Sequence, residues 1–457
     1  MPGMSPLQKR PLAPANSSVR ARVSRAIFAV LLSAGSCLPA GAQEVSLSGF
    51  GTIGYAISDQ PYDYARFIND KGTIKADTVL GLQADVKFRP ELSATVQAEF
   101  APAVYDDHRW AATLAWAFFS WQPADEWLVR LGKLRVPSAL DAENLDVGAT
   151  YDLLRYPREA YSLSPTYDFA GLDIAHNWNL DDVELSLEAY AGSTRSSWRG
   201  FLRDSSPELG ITRGPVYAGL GLSSRGAALT FQSDARRLRF SIHDVRAQFT
   251  SGSKMYLGLP YGPIYSAPGG TIDGYGLQGG PTVPYIHLTL ALISADLDLG
   301  NDFRLQSTVG RLRNLNHRNG PDAAGADLAL LRRINNWTPY VVYAIERSPD
   351  TLRSYYDAIE GRANTFDSLA AAGTSAGVPY AALASLQRTA ADQLAVVDQK
   401  TIALGTSYRL SGSQRLKFEW SQTVTGGASN FFIYAPAGTD SAHQRIRVGS
   451  MAYCFVF

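Results

Sequence analysis

The segment from Leu80 to Phe100 decides the fold, because its sequence, LGLQADVKFRPELSATVQAEF, alternates twice between apolar and polar residues. The apolar sets are Leu80, Leu82, Ala84, Val86 and Phe88, followed by Leu92, Ala94, Val96, Ala98 and Phe100. A period of two places each set on one face of a β-strand. The link Arg89-Pro90-Glu91 is short enough to join the two strands as an antiparallel hairpin.

The same alternation continues along the chain and predicts sixteen strands. The first covers Val45–Ser58, and the hairpin above supplies the next two. The others are Trp110–Gln122, Trp127–Val136, Gly171–Asn179, Val183–Ser193, Gly226–Ser233, Leu238–Phe249, Val283–Leu299, Asp302–Leu315, Ala326–Ile334, Trp337–Arg347, Thr401–Leu410, Arg415–Thr425 and Ala442–Phe457.

The connections between these strands alternate strictly in length. Seven short links contain Asp, Asn, Gly or Pro, which are the residues of tight turns, and eight other connections lie between them. Several of the eight are longer than a compact soluble domain normally tolerates. The pattern predicts an all-β fold, a transmembrane antiparallel β-barrel with short periplasmic turns and long extracellular loops. A soluble all-β protein is the alternative.

Two of the long connections have distinct compositions. The external loop from Ser348 to Gln399 contains helical stretches, notably Tyr380 to Val397, where apolar residues recur at helical spacing. The connection from Gly258 to Pro284 is rich in Gly, Pro and Tyr, and we expect it to be irregular. No linker divides the chain, so residues 43–457 are predicted to form a single barrel domain.

The amino-terminal segment has the pattern of a signal peptide. Arg20, Arg22 and Arg25 precede an apolar run from Ala26 to Leu38, and Ala40-Gly41-Ala42 supplies the small residues of a cleavage site. The run is too short to span a bilayer as a helix. We therefore expect residues 1–42 to be a signal peptide that directs export, and an uncleaved anchor is the alternative.

Charge and cysteine content exclude several functions. The chain has 42 basic and 42 acidic residues, and five of the basic residues lie within positions 1–42, so the remainder carries a net charge of −5. This balance gives no basic field for nucleic acid. Cys454 is the only cysteine after position 42, which rules out an intrachain disulfide and a two-cysteine metal site.

The carboxyl terminus places Tyr453, Phe455 and Phe457 on one face of a strand that ends at the last residue. Such a face suits the aromatic girdle of a membrane interface. The pattern resembles the terminal assembly signal of bacterial outer-membrane barrels, although Ala452 stands where that signal usually carries Gly. The resemblance implies that these three aromatic residues are read by the outer-membrane barrel assembly machinery.

Three further segments resemble Gram-negative porins. They are the opening strand from Leu47 to Tyr55, the strand from Val129 to Val136, and the connection that includes Asn144 to Tyr151 and Arg155 to Tyr161. In porins this connection folds into the barrel and forms the constriction. The resemblance implies an outer-membrane location, contact with lipid and lipopolysaccharide, and a homotrimer. Gly49, Gly51 and Gly54, with Ala111, Ala112 and Ala115, would allow protomer walls to approach closely.

The candidate constriction is the loop from about Ser138 to Tyr167, and its charged residues are candidate pore residues. They are Asp141, Glu143, Asp146, Asp152, Arg155, Arg158 and Glu159. Strand positions predicted to face the lumen supply a basic wall opposite the loop, made of Lys87, Arg237, Arg239, Arg304, Arg415 and Lys417. Opposed acidic and basic walls would create a transverse field that favours small dipolar solutes. Each charge could instead simply solvate a polar lumen.

Catalytic, metal and cofactor sites are not predicted. The histidines are scattered, and no nucleophile motif, paired-carboxylate pattern or metal-spaced cluster surrounds them. We therefore expect a non-enzymatic channel that passes small hydrophilic solutes and ions by passive diffusion, because sixteen strands enclose an aqueous lumen. A channel selective for sugars or anions is the first alternative. A non-conducting barrel used for adhesion or enzymology is the second.

Overall fold

The computed structural model describes residues 44–103, 109–207, 210–253, 255–267, 270–373, 377–429, 432–433, 435–436 and 439–457. The predicted signal peptide, residues 1–42, lies outside the described residues. Within them the chain forms one closed antiparallel barrel of sixteen strands, which confirms the predicted fold.

Each predicted strand is present, and the bounds are close to those expected except at the seventh and eighth strands. The barrel strands are β1 (Glu44–Ser58), β2 (Val79–Arg89), β3 (Leu92–Pro102), β4 (Trp110–Ala124), β5 (Trp127–Arg135), β6 (Asp168–Leu180), β7 (Val183–Leu202), β8 (Gly214–Gln232), β9 (Arg236–Phe249), β10 (Ile286–Gly300), β11 (Phe303–Asn314), β12 (Ala323–Arg332), β13 (Trp337–Arg347), β14 (Asp398–Ser411), β15 (Gln414–Thr425) and β16 (Arg445–Val456). The helices are α1 (Arg158–Tyr161), α2 (Asp350–Ala371) and α3 (Tyr380–Ala391).

The largest departure concerns β7 and β8, which are longer than predicted. Their pairing runs from Glu184 opposite Gln232 to Leu202 opposite Gly214. Beyond Ser193 the sequence contains Arg195 and Arg199 and loses the apolar rhythm. The backbone ladder nevertheless continues, because hydrogen bonding between strands does not require an apolar face.

The seven short turns fall at one end of the barrel, since they follow alternate strands of an antiparallel wall. Asp181 and Asn335 occupy two of these turns with φ values of 47° and 56°. These are left-handed conformations that Asp and Asn tolerate better than most residues. The turn chemistry therefore explains why the chain reverses within a few residues at this end.

The barrel closes between β1 and β16, where Phe50 lies opposite Val456. Phe457 continues the pairing, because its N–H donates to the Gly49 carbonyl and its carbonyl accepts from the Gly49 N–H, each at 2.9 Å. A Cβ atom at Gly49 would lie 2.4 Å from the Phe457 ring, and one at Gly51 would lie 2.5 Å from the Phe455 ring. These two glycines accommodate aromatic rings of the same chain, so they are not evidence for contact between protomers.

The outer surface of the wall is apolar. Ile53, Leu131, Ile242 and Ile293 are each more than half exposed, and many other large apolar residues of the strands are exposed as well. Aromatic rings gather near the short turns, where Trp337 packs on Tyr408 with ring centroids 4.6 Å apart and Phe455 stacks on Phe457 at 6.2 Å. Apolar strands with an aromatic belt are the outer surface of a transmembrane barrel.

The long connections form a cap at the other end. The predicted helical stretch from Tyr380 to Val397 is confirmed up to Ala391, where α3 ends, and α2 is a second, longer helix in the same loop. The connection from Gly258 to Pro284 is not wholly irregular, because it contains a hairpin of Tyr261–Ala267 and Gly270–Tyr275. Gln387 of α3 joins this hairpin by accepting from the Tyr275 N–H at 2.8 Å and donating to the Tyr275 carbonyl at 3.0 Å. None of the helices among the described residues is long and apolar enough to cross a membrane.

Candidate functional site: an inward loop and a basic cavity

The connection from Ser138 to Tyr167, hereafter the inward loop, lies inside the barrel. Its backbone contacts side chains of the wall: the Ser138 carbonyl accepts from Ser241 Oγ at 2.7 Å, and the Leu153 carbonyl accepts from Lys417 Nζ at 2.7 Å. The Leu154 N–H donates to the Tyr340 hydroxyl at 2.9 Å. These partners belong to β9, β15 and β13, so the loop crosses the lumen from its origin at β5.

At two glycines the loop and the wall lie so close together that a Cβ atom would overlap an atom of the other segment. A Cβ atom on Gly325 of β12 would lie 2.0 Å from the Glu159 carbonyl oxygen, so no larger residue fits against α1. A Cβ atom on Gly148 of the loop would lie 2.6 Å from Thr52 Oγ1 and 2.8 Å from Cys454 Sγ. The loop therefore packs against β1 and β16 as well as β12.

Four of the predicted carboxylates form ion pairs with arginines. Asp141 lies 3.2 Å from Arg237, and Glu143 lies 3.4 Å from Arg130. Asp146 is paired with Arg135 and Asp152 with Arg415. Most of these side chains are partly buried, where a charge without a partner would be costly. The carboxylates consequently hold the loop to the barrel.

Glu159 differs from the other predicted carboxylates, because its described partners are neutral. It is 3% exposed and accepts hydrogen bonds from Gln399 Nε2 at 2.9 Å and from the Thr401 hydroxyl. Among the described residues, no basic group lies within ion-pair distance of it. Glu159 therefore fixes α1 to β14 and does not line an opening.

Only part of the predicted basic wall contacts the loop. Arg237, Arg239, Arg415 and Lys417 contact it, with Arg239 donating to the Ala139 carbonyl at 3.2 Å. Arg304 instead pairs with Asp296 of the neighbouring strand, and Lys87 is exposed near a short turn. The expected arrangement of two walls facing each other across an opening is wrong, because the acidic and basic groups are in direct contact.

A cavity of about 660 Å³ lies on the other side of the loop. It separates the loop from β1, β2, β3 and the connection between β1 and β2. Its basic lining residues are Arg66, Lys75, Arg135, Arg155, Arg158 and Arg199, and its acidic ones are Asp77, Glu99 and Asp146. Three predicted pore residues, Asp146, Arg155 and Arg158, thus line the cavity.

Arg155 and Arg158 are held in different ways. Arg155 Nη2 contacts Asp77 Oδ2 and Ser450 Oγ, each at 2.8 Å, whereas Arg158 Nη1 donates to the Ala65 carbonyl at 2.7 Å. Burial, together with the charge of Arg155, lowers the pKa of the Arg158 guanidinium from its ordinary value. A guanidinium still stays protonated in a protein. Arg158 therefore presents a positive charge whose described hydrogen bond is to a neutral group.

Aromatic rings form the rest of this side of the loop. Tyr151 packs on Tyr156 with centroids 4.6 Å apart, and Tyr156 packs on Tyr161 at 4.7 Å. Burial raises the pKa of Tyr156 and Tyr161 well above the usual range, so both hydroxyls are neutral. The ring stack therefore adds neutral aromatic surface to the loop beside the cavity.

Sequence reasoning missed most of this cavity. Arg66, Lys75 and Arg199 come from the connection between β1 and β2 and from the upper part of β7, and nothing local indicates that these segments approach the inward loop.

A metal site is also not apparent: within the described ranges, no three His, Cys, Asp or Glu residues are placed to hold an ion. The absence of catalytic residues stays a prediction.

Comparison with known proteins finds similarity in shape alone. No protein-family profile and no curated protein sequence matches the chain. Among solved structures it is similar to an anion-selective porin from Comamonas acidovorans, with a TM-score of 0.48 and 11% identity over 91% of this chain and 99% of that one.

Two other solved structures give comparable values. In-vitro folded OmpT, an outer membrane protein of Vibrio cholerae, has a TM-score of 0.47 and 11% identity over 92% of this chain and 100% of that one. Salmonella typhi OmpF in complex with daunomycin has a TM-score of 0.46 and 11% identity over 92% and 99%. Likenesses this distant concern the barrel fold and assign no activity.

Proposed function

We propose that the chain is a porin-type channel of the Gram-negative outer membrane, through which small hydrophilic solutes and ions diffuse passively. The observation that supports this most directly is the combination of an apolar outer wall with a charged interior narrowed by the inward loop. A barrel of sixteen strands is too wide for its own side chains to fill. A loop held inside it by ion pairs and hydrogen bonds leaves a defined aqueous passage.

The test is planar-bilayer recording of refolded protein that lacks residues 1–42. Insertion of channels should raise the current in discrete steps of similar size, and the same protein after heat unfolding should give none. Refolded protein that migrates as a heat-modifiable barrel but produces no steps would contradict the proposal. That outcome would favour the non-conducting alternative.

The remaining features of the proposal follow from the resemblance to porins. Export would depend on residues 1–42, insertion on Tyr453, Phe455 and Phe457, and the protein would contact lipopolysaccharide at its outer rim. We assign no catalysis and no cofactor. A homotrimer is also proposed, because the resemblance to porins implies it. Of the small residues expected at a protomer contact, Ala111 and Ala112 remain candidates, whereas Gly54 and Ala115 are buried. Cross-linking in native membranes should trap a species of three chains, and the recovery of monomers alone would contradict this part.

A further inference from the structure

A pocket of about 210 Å³ lies in the cap and is lined by segments other than the inward loop. It is bounded by the upper parts of β7 and β8, by the end of β9, and by the connections that follow β9, β11 and α3. Most of its lining side chains are apolar, and they include Trp198, Leu202, Val216, Phe249, Met255 and Leu277. An apolar molecule of matching size would bury its surface in such a pocket.

Asp392 and His317 supply the pocket with no free charge. The Asp392 carboxylate is occupied by Arg203, whose Nε donates to Oδ1 at 2.6 Å and whose backbone N–H donates to Oδ2 at 2.8 Å. His317 Nδ1 accepts from the Asn319 N–H at 3.1 Å, and burial lowers the pKa of His317. The imidazole is therefore neutral, and the pocket suits a neutral ligand better than an ion.

Asn319 contributes a polar atom whose hydrogen bond is not made. The residue lines the pocket and is 7% exposed, and its carbonyl accepts from the Ala395 N–H at 3.0 Å. Its side-chain Oδ1, in contrast, has no hydrogen-bond partner among the described residues. A buried acceptor without a partner is costly, and a ligand with an N–H or O–H group would satisfy it.

We propose that this pocket binds a small neutral molecule of one or two rings, which donates one hydrogen bond to Asn319 Oδ1. The size follows from the volume, because an apolar cavity of about 150 Å³ binds benzene and one of about 210 Å³ has room for two fused rings. A bound molecule would connect the strand ends to the cap. The site does not depend on whether the barrel conducts.

The experiment titrates indole and indene into refolded protein without residues 1–42 by isothermal titration calorimetry. The two molecules have nearly the same shape, but only indole carries an N–H donor. Indole should bind saturably at one site per chain and about five-fold more tightly than indene, the effect expected of one hydrogen bond. Asn319→Leu should bind both molecules without this preference.

Two further variants locate the site, and each is first shown to migrate as a heat-modifiable barrel. Ala218→Phe places a ring beside Trp198, which lies opposite Ala218 in the β7–β8 ladder, and should weaken the binding of both molecules by about ten-fold or more. Asn364→Leu makes the same chemical change as Asn319→Leu at an exposed position of α2 and should bind as wild type does.

Two results would overturn the proposal. If the uptake of indole did not saturate, or were equal in wild type and folded Ala218→Phe, the detergent would account for it and the pocket would not be the site. If Asn319→Leu kept the wild-type preference for indole over indene, Asn319 would not be the acceptor. Should Ala218→Phe fail to fold, the comparison of Asn319→Leu with Asn364→Leu decides alone.

Discussion

The barrel wall and the inward loop are stabilised by different kinds of contact. The wall is a closed ladder of backbone hydrogen bonds that continues to Phe457 and Gly49. The loop instead depends on side chains of the wall, such as Lys417, Ser241 and Arg415, that reach its carbonyl groups or carboxylates. A backbone ladder tolerates most substitutions, whereas a side-chain tether is lost with a single residue.

This difference separates two properties of the molecule. Substitutions at the barrel seam should change how much protein assembles without changing what passes through it. Substitutions at the loop should change conduction while the barrel remains assembled. The predictions below test this separation, beginning with the largest expected effect.

Deletion of Phe457 should have the largest effect, on assembly. It removes two backbone hydrogen bonds to Gly49 and the last ring of the aromatic stack. The hydrogen bonds alone contribute about 2 kcal/mol. The amount of heat-modifiable barrel in outer membranes should fall, whereas channels that do insert should have the wild-type reversal potential. An altered reversal potential in the inserted fraction would contradict the separation of wall and loop.

Lys417→Met should loosen the loop without opening the barrel. Lys417 is fully buried, donates to the Leu153 carbonyl at 2.7 Å and lies 3.8 Å from the centre of the Tyr151 ring. Removing the charged donor should cost about 2 kcal/mol. Trypsin should then cleave after Arg155 or Arg158 faster than in wild type, and open-channel current noise should increase.

The control for this variant is Lys400→Met, which changes an exposed lysine of β14. It should leave both trypsin cleavage and noise unaltered. Equal cleavage rates for Lys417→Met and wild type would show that this tether does not hold the loop.

The third prediction concerns the triple variant Asp141→Asn, Glu143→Gln and Asp146→Asn. It should affect stability less than Lys417→Met does, but it should clearly change ion selectivity. Each loses an ion pair that is partly solvated and so worth about 1 kcal/mol or less. Arg237, Arg130 and Arg135 would then lack these partners, and the reversal potential in a salt gradient should shift toward anions.

A triple variant at exposed positions near the short turns, Asp182→Asn, Glu184→Gln and Asp234→Asn, removes the same charge and should shift the reversal potential far less. If the two triple variants behaved alike, total charge rather than loop position would determine selectivity. Charged residues outside this loop would then have to determine the ion selectivity.

The sequence predicts the wall far better than the loop, for a physical reason. Alternation is a local property, so the strand from Leu80 to Arg89 can be recognised from its own residues. The position of the inward loop depends on contacts between residues far apart in sequence, such as Arg415 with Asp152. The basic wall could be predicted from strand phase, but phase does not reveal that Arg304 would pair with Asp296.

The external cap was predicted in part. Helical stretches were expected in this loop, but α2 was not delimited, although Leu352, Tyr356, Ile359, Ala363 and Phe366 recur at helical spacing and are its buried residues. The basic cavity could not be predicted at all from local pattern, because Arg66 and Arg199 reach it from two separate segments of the chain. Only the folded chain shows which charges are paired and which line the opening.

The most direct test of the central claim, that the loop lies inside the barrel, is a disulfide between loop and wall. A Cβ atom at Gly148 would lie 3.4 Å from Cys454 Cβ, close to the separation of about 3.5–4.5 Å found in disulfides. Gly148→Cys combined with Thr52→Ala, which removes the hydroxyl 2.6 Å from the new Cβ, should cross-link on mild oxidation of refolded protein without residues 1–42.

Alkylation and mass spectrometry then count the remaining thiols. We predict that oxidised Gly148→Cys protein loses both free thiols and contains a peptide that links residues 148 and 454. Gly361→Cys, with its new thiol on α2 and no atoms near that Cβ position, should keep both thiols. A folded Gly148→Cys barrel in which both thiols remain reactive would contradict the placement of the loop inside the lumen.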